Sequence, residues 1–179
     1  MHSSYVFSNG TFPAAWPHNT TEFNPVDVDT GFAPCSDSTK YFKFATANVC
    51  TLLDGKFQCS YFQAGRRQFV EMQFDSACVD VVEIQEARDQ GDVIRHGLAY
   101  EQFCSSADVA GCYGCQIWIR RSLGWEVETF EPVSPRICVV KIKTKLQCAV
   151  AFLSAHAPHM YATAHAKCVF WDQFRQGAR

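Results

Sequence analysis

Val79, Val81, Val82 and Ile84 crowd a short segment that then turns abruptly polar, as Gln85-Glu86-Ala87-Arg88-Asp89. An apolar run that ends this way reads as a buried strand running out at the edge of a sheet. The same reading, carried along the chain, predicts the other elements. "YFKFATANV" (41–49) alternates and is rich in aromatics, which predicts a strand. "RRQFVEMQFDSA" (66–77) sets Phe69, Met72 and Phe74 near the helical period, which predicts a short amphipathic helix with that stripe against the core. "HGLAYEQFCSS" (96–106) alternates weakly as a strand, and "GCYGCQIWIRR" (111–121) is a glycine-rich turn entering a strand. "WEVETFEP" (125–132) reads as a strand ended by proline. "RICVVKIKT" (136–144) and "LQCAVAFLSAHAP" (146–158) read as strands joined by a short polar turn. "TAHAKCVFWDQFRQ" (163–176) reads as a helix whose "VFWDQF" side faces the core.

Residues 1–39 hold Pro13, Pro17, Pro25 and Pro34 and no sustained period, so they read as an irregular or flexible leader to a domain over 40–179. Within that domain the order is strand, helix, strand, several adjacent strands, helix. A sheet with helices is α/β or α+β. The connections between 111 and 155 are too short to hold helices, so most of the sheet is expected to be antiparallel.

Composition narrows this picture modestly. A chain of 179 residues that is 47% hydrophobic can bury a real core in one domain. A formal charge of −2 excludes a histone-like electrostatic binder, though not a local basic groove. The charge is uneven. Glu22, Asp27, Asp29 and Asp37 face only Lys40 at the start, while Arg120, Arg121, Arg136, Lys141, Lys143, Lys145 and Lys167 mark a basic second half. Lys141, Lys143 and Lys145 alternate along one strand, which makes a solvated face or a contact to a phosphate backbone. The opening "MHSSYVFSNGTF" has no charged start and no apolar run, so no secretory signal is read there.

The ten cysteines are therefore expected to stay mostly reduced in an intracellular protein, and the Asn19 sequon to be silent. No stretch approaches the length of a membrane span, so no membrane partner is expected. "CYGC" (112–115) has the gap of a zinc or redox pair but lacks a matching second pair, so its cysteines read as incidental. Cys138 and Cys148 are placed facing each other across a hairpin as packing.

The chemistry sits just past strand ends, where functional groups gain a rigid base. Asn48 follows "FKFATA", Glu86 follows "VDVVEIQ", and His156 and His159 follow "AVAFLSA". Asn offers a neutral donor and acceptor, Glu a hard oxygen ligand suited to magnesium, and His a donor to phosphate or a proton shuttle. Together these suit metal-assisted attack of water on a phosphodiester. Each has a plainer reading: Glu86 as a solvated strand cap, Asn48 as a turn residue, His156 as a structural histidine, His159 and His165 as surface residues.

"FATANVCTL", "VDVVEIQEAR", "YGCQIWIR" and "AFLSAHAPH", in this order and at these separations, resemble the endonuclease/exonuclease/phosphatase superfamily. The nearest flavour is the apurinic-type endonuclease domain found with non-LTR, LINE-like reverse transcriptases. The resemblance covers about residues 41 to 175. It implies a four-layer sandwich of two face-to-face sheets with helices outside. It further implies that Asn48 lies in the metal and phosphate site and that Glu86 is the principal magnesium ligand, with manganese as a substitute. His156 then stands where the apurinic branch carries a tyrosine and other branches place a phosphate-contacting histidine. Arg88 and His159 are the candidate substrate contacts, and Arg95-His96 candidate walls of a groove. The implied partner is nucleic acid, DNA in preference to RNA.

The family pattern continues with a Gly-Asp-x-Asn motif and a Ser-Asp-His triplet, and neither occurs in this sequence. Gly91-Asp92 is followed by Val93-Ile94 and precedes the strands that should come before it. The chain is therefore expected to be a partial sandwich lacking the C-terminal half, weakly active or inactive alone. It would bare an apolar sheet face and an unpaired edge through which it self-associates. The alternative is a non-catalytic retroelement-derived fragment that binds nucleic acid or a partner protein.

Overall fold

The computed structural model describes residues 5–7, 42–53, 65–143 and 149–178. The first sheet has the order β1-β2-β3-β6-β5-β4. Its strands are β1 (Tyr5–Phe7), β2 (Phe44–Asn48), β3 (Val81–Gln85), β4 (Val93–His96), β5 (Tyr100–Cys104) and β6 (Gln116–Arg120). β7 (Glu126–Ser134), β8 (Ile137–Lys143) and β9 (Ala149–Ala155) form the second sheet as a meander. Helix α1 (Arg66–Ser76) lies between β2 and β3, and α2 (Ala164–Gly177) follows β9. β2 and β3 are parallel, the pairing that a helical crossover permits, and every other pair is antiparallel. The fold is α+β, as the pattern of elements predicted.

Alternation along β3 decides the layering. Val82 and Ile84 point to one face, where Ala45, Ala47, Tyr100 and Trp118 meet Phe74 of α1. Val81 points to the other, where Phe103, Ile117 and Ile119 meet Cys138, Val140, Ile142 and Phe152 of the second sheet. The outer side of that sheet buries Ile137 and Val139 against Phe170 of α2. The result is four layers: α1, sheet, sheet, α2. Among the described residues each sheet thus has a packed partner on both faces, and the expected bare apolar face is not found. Among the described residues β9 has β8 as its one sheet neighbour, and Ala149, Val150 and Ala151 at its start are exposed.

Three local expectations are corrected, and one strand, β4, had none. β7 runs through Pro132 to Ser134, because β7 is an edge strand and the ladder shifts register between Glu131 and Ser134, so the missing N–H costs no sheet bond. In α1, Phe69 and Met72 are 37% and 39% exposed, while Glu71 is buried beside Phe74. Glu71 can be buried because its carboxylate accepts from Ala99 and Tyr100 N–H and from Gln102 Nε2. β4 has no apolar pattern and pairs at the edge with β5. Cys138 stands opposite Ser154, and Cys148 lies outside the described residues.

Lys141 and Lys143 pair with Glu131 at 3.3 Å and Glu128 at 3.7 Å, as a solvated face should; Lys145 lies outside the described residues. Cys104, Cys112, Cys115, Cys138 and Cys168 are free thiols, whereas Cys78 is disulfide-bonded. Apart from β1, residues 1–39 lie outside the described residues. Among the described residues no helix is long and apolar enough to cross a membrane.

Candidate functional site

Because β2 and β3 are parallel neighbours in register, with Asn48 opposite Gln85, their ends arrive together. The segments beyond them are zipped to each other and to the turn before β6. Val49 N–H donates to the Gln85 carbonyl at 3.1 Å and Leu52 N–H to that of Ala87 at 2.9 Å. Ala87 and Arg88 N–H donate to the carbonyls of Gly114 and Tyr113 at 2.9 and 2.8 Å. Glu86, Arg88, Tyr113 and Cys50 all have left-handed backbone, with φ of 58°, 61°, 67° and 61°. Each such residue costs on the order of 1–3 kcal/mol and persists only where its surroundings over-determine it. Gly114 completes the turn at φ 87°, and a Cβ there would lie 2.9 Å from the Arg88 nitrogen.

This backbone gathers the predicted side chains. Asn48 Nδ2 donates to Glu86 Oε1 at 3.0 Å, and Arg88 Nη2 to Glu86 Oε2 at 3.4 Å. His156 Nε2 lies 3.7 Å from Glu86 Oε1. Glu86, Arg88 and His156 keep 22%, 27% and 25% of their side chains exposed, so the cluster is sheltered but open to a ligand. His159 is not drawn in: it is exposed, and its Nδ1 accepts from Tyr161 N–H at 3.2 Å within its own loop. Arg95 and His96 lie by α1, toward Asp89 and Glu101 respectively, and line a cavity with Arg67, Glu71 and Gln102.

Gln85, beside Glu86 in sequence, points between the sheets. It donates to Thr46 Oγ1 at 3.0 Å and Ser154 Oγ at 3.4 Å, and Ser154 Oγ donates to the Ile84 carbonyl at 3.0 Å. This is how β9 is fixed against β3, and hence how His156 is delivered to Glu86.

Pattern reading missed Tyr113 and Arg136. The Arg136 guanidinium carbon lies 3.7 Å from the Tyr113 ring centroid, and the His156 ring meets the same tyrosine edge-on at 5.8 Å. Arg136 Nη1 donates to the His156 carbonyl at 2.9 Å, and His156 N–H donates to the Arg136 carbonyl at 2.9 Å. The one usable signal was a basic residue entering β8 after Pro135, at the same end of the sandwich as Glu86. His156 Nδ1 is buried with no hydrogen-bond partner among the described residues. Burial holds the His156 pKa below its ordinary value; Glu86 opposes this and Arg136 reinforces it. Burial thus favours the neutral form of His156.

The donor set can be tested against a divalent cation. Among the described residues no three His, Cys, Asp or Glu side chains cluster as a metal-ligand group. Asn48 Oδ1 accepts from Cys50 N–H at 3.1 Å, which turns the amide nitrogen to Glu86. Asn48 thus orients the carboxylate and does not present its own oxygen beside it. Magnesium keeps several waters and takes one or two carboxylates plus substrate oxygens. A single Glu86 fits that habit, and a dedicated all-protein cage is absent among the described residues.

The chain has an endonuclease-like fold. It is similar to the endonuclease domain of TRAS1, a telomere-specific non-LTR retrotransposon, with a TM-score of 0.50 at 15% identity over 75% of this chain. This chain matches 52% of that chain, about half its length. No protein-family profile matches the sequence, and no curated protein matches it. At this identity the likeness is one of fold, and function rests on the side chains.

Proposed function

We propose that this chain carries the Glu86 side of a magnesium-dependent phosphodiester hydrolase site of endonuclease type, acting on nucleic acid, with DNA preferred to RNA. The observation that carries the reading is the placement of Glu86. Its carboxylate stands on a strained turn at the joint end of two parallel strands, held by Asn48 and Arg88 and faced by His156. Crevices beyond the carboxyl ends of parallel strands are where α/β sheets bind ligands.

Glu86 would hold the cation, which when bound polarises a phosphoryl oxygen and lowers the pKa of a coordinated water. Asn48 fixes the carboxylate rotamer. Neutral His156 offers one ring N–H to a phosphate oxygen. Arg88 limits the charge that Glu86 presents when no cation is bound. The Asp and His that position and activate water in the resembled family do not occur as motifs in this sequence, so cleavage by this chain by itself is expected to be weak or nil. Groups that act as a unit fail together.

Manganese titration followed by electron paramagnetic resonance tests the reading, alongside nicking of supercoiled plasmid with magnesium and with chelator. One bound ion, lost in a folded Glu86→Gln, is the expected result. A folded wild-type chain that binds no manganese refutes it. A second reading, a non-catalytic binder of nucleic acid or of a partner, is favoured by the lone carboxylate. Under it, binding is metal-independent, and self-association runs along the β9 edge, which has no strand partner but β8 among the described residues, and is visible as a sedimentation coefficient that rises with concentration.

A further inference from the structure

Arg136 is a cation with an unusual set of partners. Its guanidinium carbon sits over the Tyr113 ring, 3.7 Å from the centroid, and Nη1 is tied to the His156 carbonyl. Among the described residues no Asp or Glu pairs with it, whereas the neighbouring Arg88 is matched by Glu86. Glu86 therefore answers one of two arginines, and the site carries an unmatched positive charge beside a histidine whose Nδ1 lacks a partner among the described residues. Stacking on an aromatic face and a bond to a carbonyl fix the guanidinium plane before any ligand arrives. Its remaining N–H groups are a planar fork of the kind that takes two oxygens of one phosphate.

We infer that Arg136, held on Tyr113, is a phosphate-binding residue of this site and grips a non-bridging oxygen of a nucleic-acid backbone. The inference rests on the nucleic-acid reading above and deepens it, adding a contact that is independent of the cation. Tyr113 is then a positioning residue acting through Arg136. The contact also explains why the β7–β8 turn is pinned to the chain after β9: the same bonds that set His156 set the fork.

The test is anisotropy of a short fluorescein-labelled DNA duplex titrated with the full chain in chelator, across a series of salt concentrations. Chelator removes cleavage and the cation, so the Glu86 reading, judged by manganese binding, stands or falls separately. Neutralising one phosphate contact lowers the slope of log K against log salt by about 1. Arg136→Gln should show that loss, and Arg136→Lys should keep the slope while binding more weakly. Tyr113→Leu should likewise keep the slope and weaken affinity, because it frees the fork without removing the charge. A folded Arg136→Gln with an unchanged slope overturns the inference, and so does a wild type that binds no duplex. Should Arg136→Gln fail to fold, wild-type arginine side-chain NMR decides. Duplex must move the Arg136 Nε–H resonance, and a resonance that stays put overturns the inference.

Discussion

Replacing Asp89 by alanine asks whether the turn that carries Glu86 is held from beneath by charge. Asp89 is 3% exposed. Its Oδ2 accepts from Arg67 Nη2 and, at 2.8 Å, from Gln116 Nε2, with Arg95 Nε 3.8 Å away. Arg67 Nη1 donates to Gln102 Oε1 at 2.9 Å and to Gln116 Oε1 at 3.1 Å, and Trp118 Nε1 donates to that same Gln116 oxygen at 2.8 Å. Gln102 and Gln116 are buried. Removing the carboxylate strands a largely buried guanidinium and a buried amide N–H together. Breaking one side of a buried ion pair costs about 3–5 kcal/mol. At this chain length that is a fall of roughly 6–20 °C in Tm. Deleting Arg67 as well removes the stranded charge, so the double variant Arg67→Met/Asp89→Ala should cost less than the two singles summed, by about 1–3 kcal/mol. Urea unfolding followed by tryptophan fluorescence measures all four proteins, and equal m-values license the comparison. If Asp89→Ala costs under about 1 kcal/mol, or the singles simply add, the pair is a screened surface contact. The Glu86 turn is then held by its backbone bonds alone.

Two further outcomes follow from the same fold. Glu83 points between the sheets, and burial raises its pKa from 4.5 to about 7 against a lowering backbone bond from Leu153. The native state therefore binds more protons than the unfolded one in that window. The stability from this group is full below 4.5 and is lost as pH rises through about 7. The Tm advantage of Glu83→Gln over wild type should grow between about pH 5 and about pH 8, and parallel curves refute the burial argument. Gly114→Ala should cost more than about 1 kcal/mol and lower manganese affinity at Glu86. The new Cβ meets the Arg88 nitrogen at 2.9 Å and pushes the Glu86–Arg88 turn off its two bonds. Unchanged manganese affinity would show the turn to be indifferent to that approach.

Much of the sandwich was legible because buried strands announce themselves. β3, β6, β8 and the end of β9 are apolar runs whose two faces meet different layers, and α2 follows a Thr163 whose hydroxyl caps Ala166 N–H at 3.2 Å. What escaped notice lacked that signal. β4 lies on an edge and gains stability from backbone pairing to β5 rather than from apolar side chains. α1 misled because its core face sets the charged Arg67 and Glu71 beside Phe74 in place of an apolar stripe. Glu71 is buried by accepting from Ala99 and Tyr100 N–H at 2.8 and 3.1 Å, partners that only the folded chain supplies. At the site, Asn48, Glu86 and His156 were legible as polar residues at strand ends, and their convergence follows from strand order. Arg136 and Tyr113 were not, because a stack between two turns has no period along the sequence. His159 shows the converse limit: three residues beyond His156, its loop has already left the cluster.

The strain at Glu86 has a physical reason that joins fold to site. In β3, Val82 and Ile84 face α1, while Val81 and Gln85 face the second sheet. Had the strand continued, Glu86 would follow Ile84 into the apolar layer under α1, where a carboxylate costs several kcal/mol. The left-handed residue at Glu86 breaks that alternation. Ala87 enters the apolar cluster instead, fully buried beside Val49 and Leu52, and the carboxylate turns out to meet Asn48, Arg88 and His156. A second left-handed residue, Arg88, then returns the chain toward Asp89, whose carboxylate lies under α1. The two unfavourable torsions thus exchange a buried charge for a buried methyl group. Ala87 is the residue whose size this arrangement fixes, as firmly as Glu86 fixes its chemistry.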